Sequence, residues 1–352
     1  MLFNVVVDDG SRISGYLVPD SFSGSPSLRI SDGASDLAVL PCREERPALV
    51  AAGRHGTGLC GFTIDETVIP DLPRQESLEL YDNDTNLLIY RRRSPSKITQ
   101  KRIFRLETHL IPLWRLDDAI EPRFQYFHKG IERYGGETTT QLFVLNNSSS
   151  LYLSGRIIFK VYETYIDETF NCVALLREPY LELAERLLAL KLVRKMSSKA
   201  QLLGPRDMIA FGPAIEFAES LEPDEKLLHR AFANMPKAAI ANLANPVTRQ
   251  LAARGFDEVP AKGAVAAALR TLSGFSIVGL RERQDLFVAQ LADLVGTTAE
   301  SLPIMPDFSR TQETAALLRG VPEAGVLLEQ DLEVYHQVKT AVEHALAGSE
   351  GA

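Results

Sequence analysis

The segment Phe170–Lys191, FNCVALLREPYLELAERLLALK, constrains this chain more than any other. Its opening apolar run, ending at Leu176, reads as a fully buried strand. Arg177 stands at the carboxyl end of that strand, Pro179 falls where a first helical turn tolerates a missing N–H, and an apolar-faced helix follows. Strand, tight turn and helix in this order belong to an open α/β sheet. Such sheets bind ligands outside the carboxyl ends of their strands, where free helix N–H groups favour anions. A guanidinium at that point suits a phosphate held by two parallel hydrogen bonds. The same Arg177 also suits a purely structural pair with Glu178 or Glu182, and pairs of that kind are commoner than ligand sites.

The rest of the chain divides around this feature. From residue 1 to 93 the apolar runs are short and β-rich (Phe3–Val7, Ser14–Leu17, Leu37–Leu40, Leu87–Tyr90), separated by Asp-Gly, Ser-Gly and Pro steps, which predicts a small all-β sandwich. Residues 94–101, within the basic stretch RRRSPSKITQK, read as a linker. From 102 to 352 strands alternate with longer helical segments, which predicts a parallel sheet flanked by helices. Strands are expected at Arg102–Leu110, Ser150–Lys160, Phe170–Leu176 and Phe275–Leu280. Helical period is expected through Asp117–Leu145, in Asp285–Val295 capped by Gly296, and from about Glu323 to the end. The Gly/Pro-interrupted stretch Leu202–Pro213 is expected to be a mobile lid.

Charge and cysteine content narrow the function. A net charge of −8 gives no general attraction to nucleic acid or anionic membrane. Cys42, Cys60 and Cys172 are widely spaced and odd in number, so reduced, buried thiols are expected rather than a disulfide framework or zinc site. No apolar run reaches the roughly 18 residues of a membrane span, and the start, MLFNVVVDDG, has no signal-peptide character, which points to the cytoplasm. The six histidines form no metal-type pattern. Gly53-Arg54-His55-Gly56-Thr57-Gly58 is followed by no helix and no Lys-Ser/Thr, so it reads as a β-turn rather than a phosphate loop.

Arg177-Glu178-Pro179-Tyr180 resembles the Arg-Asp/Asn-Pro turn of carbohydrate-directed sulfotransferases, which holds the 3′-phosphate of PAPS. Three further segments match in order. Leu153-Ser154-Gly155-Arg156 resembles the preceding strand-end Ser/Thr-Gly-His segment. Asn245–Ala252 (NPVTRQLA) is similar to an Asn-x-x-Thr-Arg-x-Leu-Ala segment. Phe275–Arg283 followed by Asp331–Tyr335 (DLEVY) resembles the closing strand, Glu-containing turn and Asp-x-x-x-Tyr element. The resemblance implies a sulfotransferase-like α/β domain, PAPS as sulfuryl donor, and a carbohydrate or glycolipid acceptor; no metal is expected, from the histidine pattern above. It places Arg177, Ser154 and Arg156 at the nucleotide, Thr108 and Arg115 at its reacting end, and His109 or Glu107 as the base that takes the acceptor proton. In the N-terminal part, Ile13–Tyr16, Asp32-Gly33, Arg54–Gly58 and Cys60–Phe62 resemble β-sandwich modules attached to bacterial glycosyltransferases.

Two departures accompany the match. Where the family carries its Lys-x-Gly-Ser/Thr loop, this chain reads FRLETHLIP, with neither Gly nor Lys, and a backbone cradle without Gly is sterically harder to build. The Ser expected on the helix after the Arg turn falls near Glu185, whose carboxylate repels a phosphate. A non-catalytic protein of the same fold, serving binding or assembly in surface-polysaccharide production, is therefore the rival expectation.

Overall fold

The computed structural model describes residues 1–21, 23–145, 148–166, 169–195, 202–255, 258, 261 and 263–349. The chain opens with two four-stranded antiparallel sheets, as the turn-punctuated apolar runs predict. One has the order β1 (Leu2–Asp8), β2 (Ile13–Val18), β6 (Leu59–Ile64), β5 (Glu44–Glu45). The other runs β4 (Asp36–Pro41), β3 (Ser27–Ser31), β7 (Leu78–Asp82), β8 (Leu88–Arg92). The β1–β2 turn has a local cause: Asp9 accepts from the backbone N–H groups of Ser11 and Arg12 at 3.0 and 2.8 Å, while Gly10 takes φ +88°. Residues 53–58 form an irregular connection from the short helix Pro47–Ala51 to β6, closed by His55 Nδ1 accepting from the Gly58 N–H at 2.9 Å. All three cysteines are buried free thiols.

A five-stranded parallel sheet follows, ordered β10 (Tyr126–Lys129), β11 (Leu151–Gly155), β9 (Arg102–Leu106), β12 (Asn171–Leu176), β13 (Ile277–Leu280). The fold class is therefore α/β with all-β sheets ahead of it. Strand β12 pairs with β13 in parallel, Val173 opposite Ile277 through Leu176 opposite Leu280. The helical period expected over 117–145 is corrected in part: Trp114–Ile120 and Gly136–Phe143 are α-helical and Glu121–Arg123 and Ile131–Arg133 are single 3-10 turns, but the strand β10 lies between them. Its Tyr-Phe-His core fits the pleated, buried surface of a sheet, and Gly130 at φ +64° ends the extension. Leu202–Pro213 contains the short helix Pro205–Ala210 and the start of Gly212–Ser220.

Contacts group the chain into two units, one of residues 1–103, 120–153 and 168–170, the other of 104–119, 154–167 and 171–352. In the first, Gln141 donates to the Phe3 carbonyl at 3.0 Å, the Thr99 N–H to Arg123 O at 2.7 Å, and Arg91 pairs with Glu79 and Glu121 at 2.7 Å each. The second is built around the helix Pro179–Val193, eleven of whose fifteen residues are buried. Leu181, Leu183, Leu187 and Leu190 pack with Ala214, Ile215, Phe217, Leu228, Phe232, Leu318 and Leu328 in one cluster, each large, fully buried side chain contributing about 1.5–3 kcal/mol. Among the described residues no helix is long and apolar enough to cross a membrane, and no group of three metal-type side chains is assembled.

Candidate functional site

In the parallel sheet β10 and β11 lie on one side of β9, and β12 and β13 on the other. The connections therefore diverge at β9 and β12, the place where open α/β sheets form their ligand crevice. Glu107, Thr108 and His109 leave β9 there, and Arg177 leaves β12.

The β9 end is a buried polar cluster. Arg105 holds Asp117 by two bonds, Nε at 2.9 Å and Nη2 at 2.8 Å, and turns Nη1 to Glu107 at 3.0 Å. Glu107 also accepts from the Leu113 N–H at 2.8 Å and lies 3.2 Å from His109 Nδ1. Burial pushes the Glu107 carboxyl up, but the Arg105 charge, His109 and the Leu113 N–H together bring it down to about 2. It is thus a fixed anion that orients His109 and a poor base. His109 is 1% exposed, and its Nε2 has no hydrogen-bond partner among the described residues. The Thr108 hydroxyl donates to the Leu175 carbonyl on β12 at 2.7 Å, tying the two strand ends together.

At the β12 end Arg177 is fully buried. It pairs with Glu185, two helical turns along the following helix, and with Asp307 at 3.2 Å. Neither Glu178 nor Glu182 is its partner. Glu178 caps the helix, accepting from the Leu181 N–H at 2.9 Å, while Glu182 pairs with Arg186 at 2.8 Å. Arg281, at the end of β13, is buried close to Arg177; burial and then the Arg177 charge lower its pKa. The cavity lined by Arg177, Glu182, Arg186, Asp331 and Tyr335 measures about 10 Å³, room for a single water.

Three of the four segments aligned above, all but 153–156, are joined here. The Glu178 N–H donates to Glu282 at 3.2 Å, and Tyr335 donates its hydroxyl to the same carboxylate at 2.8 Å. Asn245 Oδ1 accepts from the N–H groups of Gln330 and Asp331, at the start of helix Glu329–Ser349. Asp331 in return accepts from Val247 and Thr248 at 3.1 and 2.7 Å, at the start of helix Pro246–Ala252. Two helix N-termini thus cap each other.

The remaining sequence candidates are placed as follows. Ser154 donates to Asp117 at 2.8 Å. Arg156 pairs with Asp207 at 3.0 Å. Arg115 is exposed on the helix Trp114–Ile120. The structure thus brings Glu107, Thr108, His109 and Arg177 to adjacent strand ends and gives Ser154 and Arg156 carboxylate partners of their own. Sequence reasoning missed Arg105–Asp117 and the Asp307 contact. A charged Arg105 inside the strand RIFRL signals that a buried counter-ion is needed, though nothing local names which carboxylate supplies it.

Known proteins add little. No family model matches the chain, and no curated protein does. A solved sulfotransferase from Alicyclobacillus acidocaldarius aligns with 14% identity over 68% of this chain and 100% of that chain, at a TM-score of 0.28. Similarity that weak says nothing about activity.

Proposed function

We propose that this chain is a binding protein built on a sulfotransferase-like domain, associated with a glycan or glycolipid partner, whose nucleotide crevice is filled by its own side chains. The ordered segments at 153–156, 177–180, 245–252, 275–283 and 331–335 support the sulfotransferase-like reading. The observation that carries the closed crevice is Arg177, fully buried and neutralised by Glu185 and Asp307. A 3′-phosphate would have to displace both carboxylates, and the roughly 10 Å³ beside them holds one water. Ser154 is likewise bound to Asp117. The residues as arranged do not fit PAPS, and no transfer step follows from them.

Titration with PAP tests this reading. A ligand at a hundred times its dissociation constant adds about 2.7 kcal/mol of stability, so the expected result is an unchanged melting temperature at millimolar PAP. A saturable rise that disappears in a folded Arg177→Met/Glu185→Leu variant would overturn the proposal. That pair replacement is chosen because removing both members of a buried ion pair is far milder than stranding one, which costs about 3–5 kcal/mol.

A second reading is general-base catalysis at His109, favoured by its unpartnered Nε2 and by the Glu107 carboxylate behind Nδ1. It requires a substrate hydroxyl to reach a side chain that is now 1% exposed.

A further inference from the structure

Strand β13 ends the parallel sheet and pairs with β12 alone. In a strand with a single neighbour, every second residue turns its N–H and C=O away from the sheet. A groove of about 430 Å³, a volume in the range of ligand sites, runs along this strand. It touches each residue from Ser276 to Leu280 in turn. Side chains of a strand alternate between its two faces, so a groove that meets consecutive residues follows the open edge rather than one face. We propose that this groove takes an extended peptide segment of a partner protein, which adds a sixth strand to the sheet beside β13.

The walls are apolar. They come from the helices Ala264–Ser273 (Leu269, Leu272), Gln284–Val295 (Leu286, Phe287) and Glu329–Ser349 (Val338, Val342). A Cβ on Gly279 would meet Phe287 at 2.5 Å, so the missing side chain is what seats that wall against the strand. Arg283 is the one charged side chain that lines the groove, and Asp285 stands 3.8 Å from it, so net charge selects no ligand.

The alternating backbone donors and acceptors of the floor select the occupant instead. An acyl chain suits the walls, but it strips water from those N–H and C=O groups and returns no hydrogen bond. A second copy of this chain fails on shape. Ile277 and Leu280 on the floor are 8% and 4% exposed, whereas Ser273, Gln337, Ala341 and Ala345 at the rim are exposed. Two edges so recessed meet at their rims before their strands reach the spacing of about 4.8 Å that a β pair needs. A single extended segment without helices of its own reaches the floor, and its backbone answers each free donor and acceptor. The edge is four residues long, and the walls surround the added strand with apolar side chains. Its partner is therefore a short continuous run of apolar, β-branched residues.

Fluorescence anisotropy of the full chain with a labelled, end-blocked peptide, Lys-Glu-Val-Ile-Val-Val-Lys-Glu, tests the site, and saturable binding is expected. Two N-methylated versions, one altered at the first and third apolar residues and one at the second and fourth, separate backbone pairing from apolar contact. Only one edge of an added strand faces β13, so one version is expected to bind at least about tenfold more weakly and the other like the parent. Ala341→Trp and Ala345→Trp fill the groove from the exposed side of their helix, and each is expected to weaken the peptide about tenfold with the melting temperature of the free protein unchanged. Absence of binding, methylated versions that behave alike, or unaltered affinity in both wall variants would overturn the site. So would displacement of the peptide by an equal concentration of palmitate, which assigns the groove to an acyl chain. A dimer in sedimentation that Ala341→Trp disperses would assign it to a second copy and overturn the proposal as well.

Discussion

At the scale of single residues, the chain's unusual chemistry lies in ionisable groups taken out of water, and their stabilities follow from what faces them. Arg177 and Glu185 compensate each other. His128 has no such partner. It sits in β10 at 3% exposure, edge-on to Tyr134 at 6.3 Å, with Nε2 unbonded among the described residues. Burial, assisted by the Arg91 charge, pulls its pKa down to about 3 from 6.5. Below the unfolded value the unfolded state takes up a proton that the folded state refuses. Stability is therefore fully present above pH 6.5 and is lost as pH falls toward 3, with a slope approaching about 1.4 kcal/mol per pH unit. Urea midpoints of the wild type and His128→Gln between pH 7.5 and 5 measure this, and the slope in that window should be reduced in the variant. Equal slopes would mean that His128 protonates freely in the folded protein.

Elements reveal why motifs can be conspicuous in a sequence without being catalytic. Asn245 takes φ +44°, a left-handed conformation that asparagine tolerates, and this lets its side chain cap a helix more than eighty residues away while Asp331 returns the bond. Burial raises the Asp331 carboxyl above its ordinary value, against the hydrogen bonds from Thr248 and Val247 that lower it. Asp331→Ala removes the acceptor of two buried N–H groups and should cost about 2–4 kcal/mol, whereas Asp331→Asn keeps an acceptor oxygen and should cost markedly less. Equal losses in chemical denaturation would show that the charge rather than the cap matters. Strand β12, the Pro179 helix start and the Gly296 cap, at φ +77°, were legible because they depend on neighbours within a few residues. The partners of Arg177, Ser154 and Arg156 were not: Asp307 is 130 positions from Arg177, Asp117 37 from Ser154 and Asp207 51 from Arg156. Strand β10 was misread as helix because a four-residue strand, YFHK, carries too little period to separate the two.

For the whole molecule, the question is where the chain can be cut. Composition places a border at 94–101, but the first unit draws on residues from both sides of it. Tyr126 packs on Tyr90, Arg91 bonds Glu121 and the Phe124 carbonyl, and Gln141 bonds Phe3. In a fragment of residues 102–352, Tyr126, buried in the intact chain, loses the Tyr90 ring, and Glu121, the Phe124 carbonyl and Gln141 lose their bonds to the N-terminal strands. Exposing Tyr126 alone costs about 1.5–3 kcal/mol, a sizeable share of the 5–15 kcal/mol that typically holds a protein folded. The fragment is therefore expected to bind a hydrophobic dye and to melt without a sharp transition, while the full chain melts cooperatively. A cooperative melt and a dispersed amide spectrum for 102–352 alone would instead make 94–101 a true domain border. The contacts that tie 120–153 to the N-terminal strands would then be dispensable for folding.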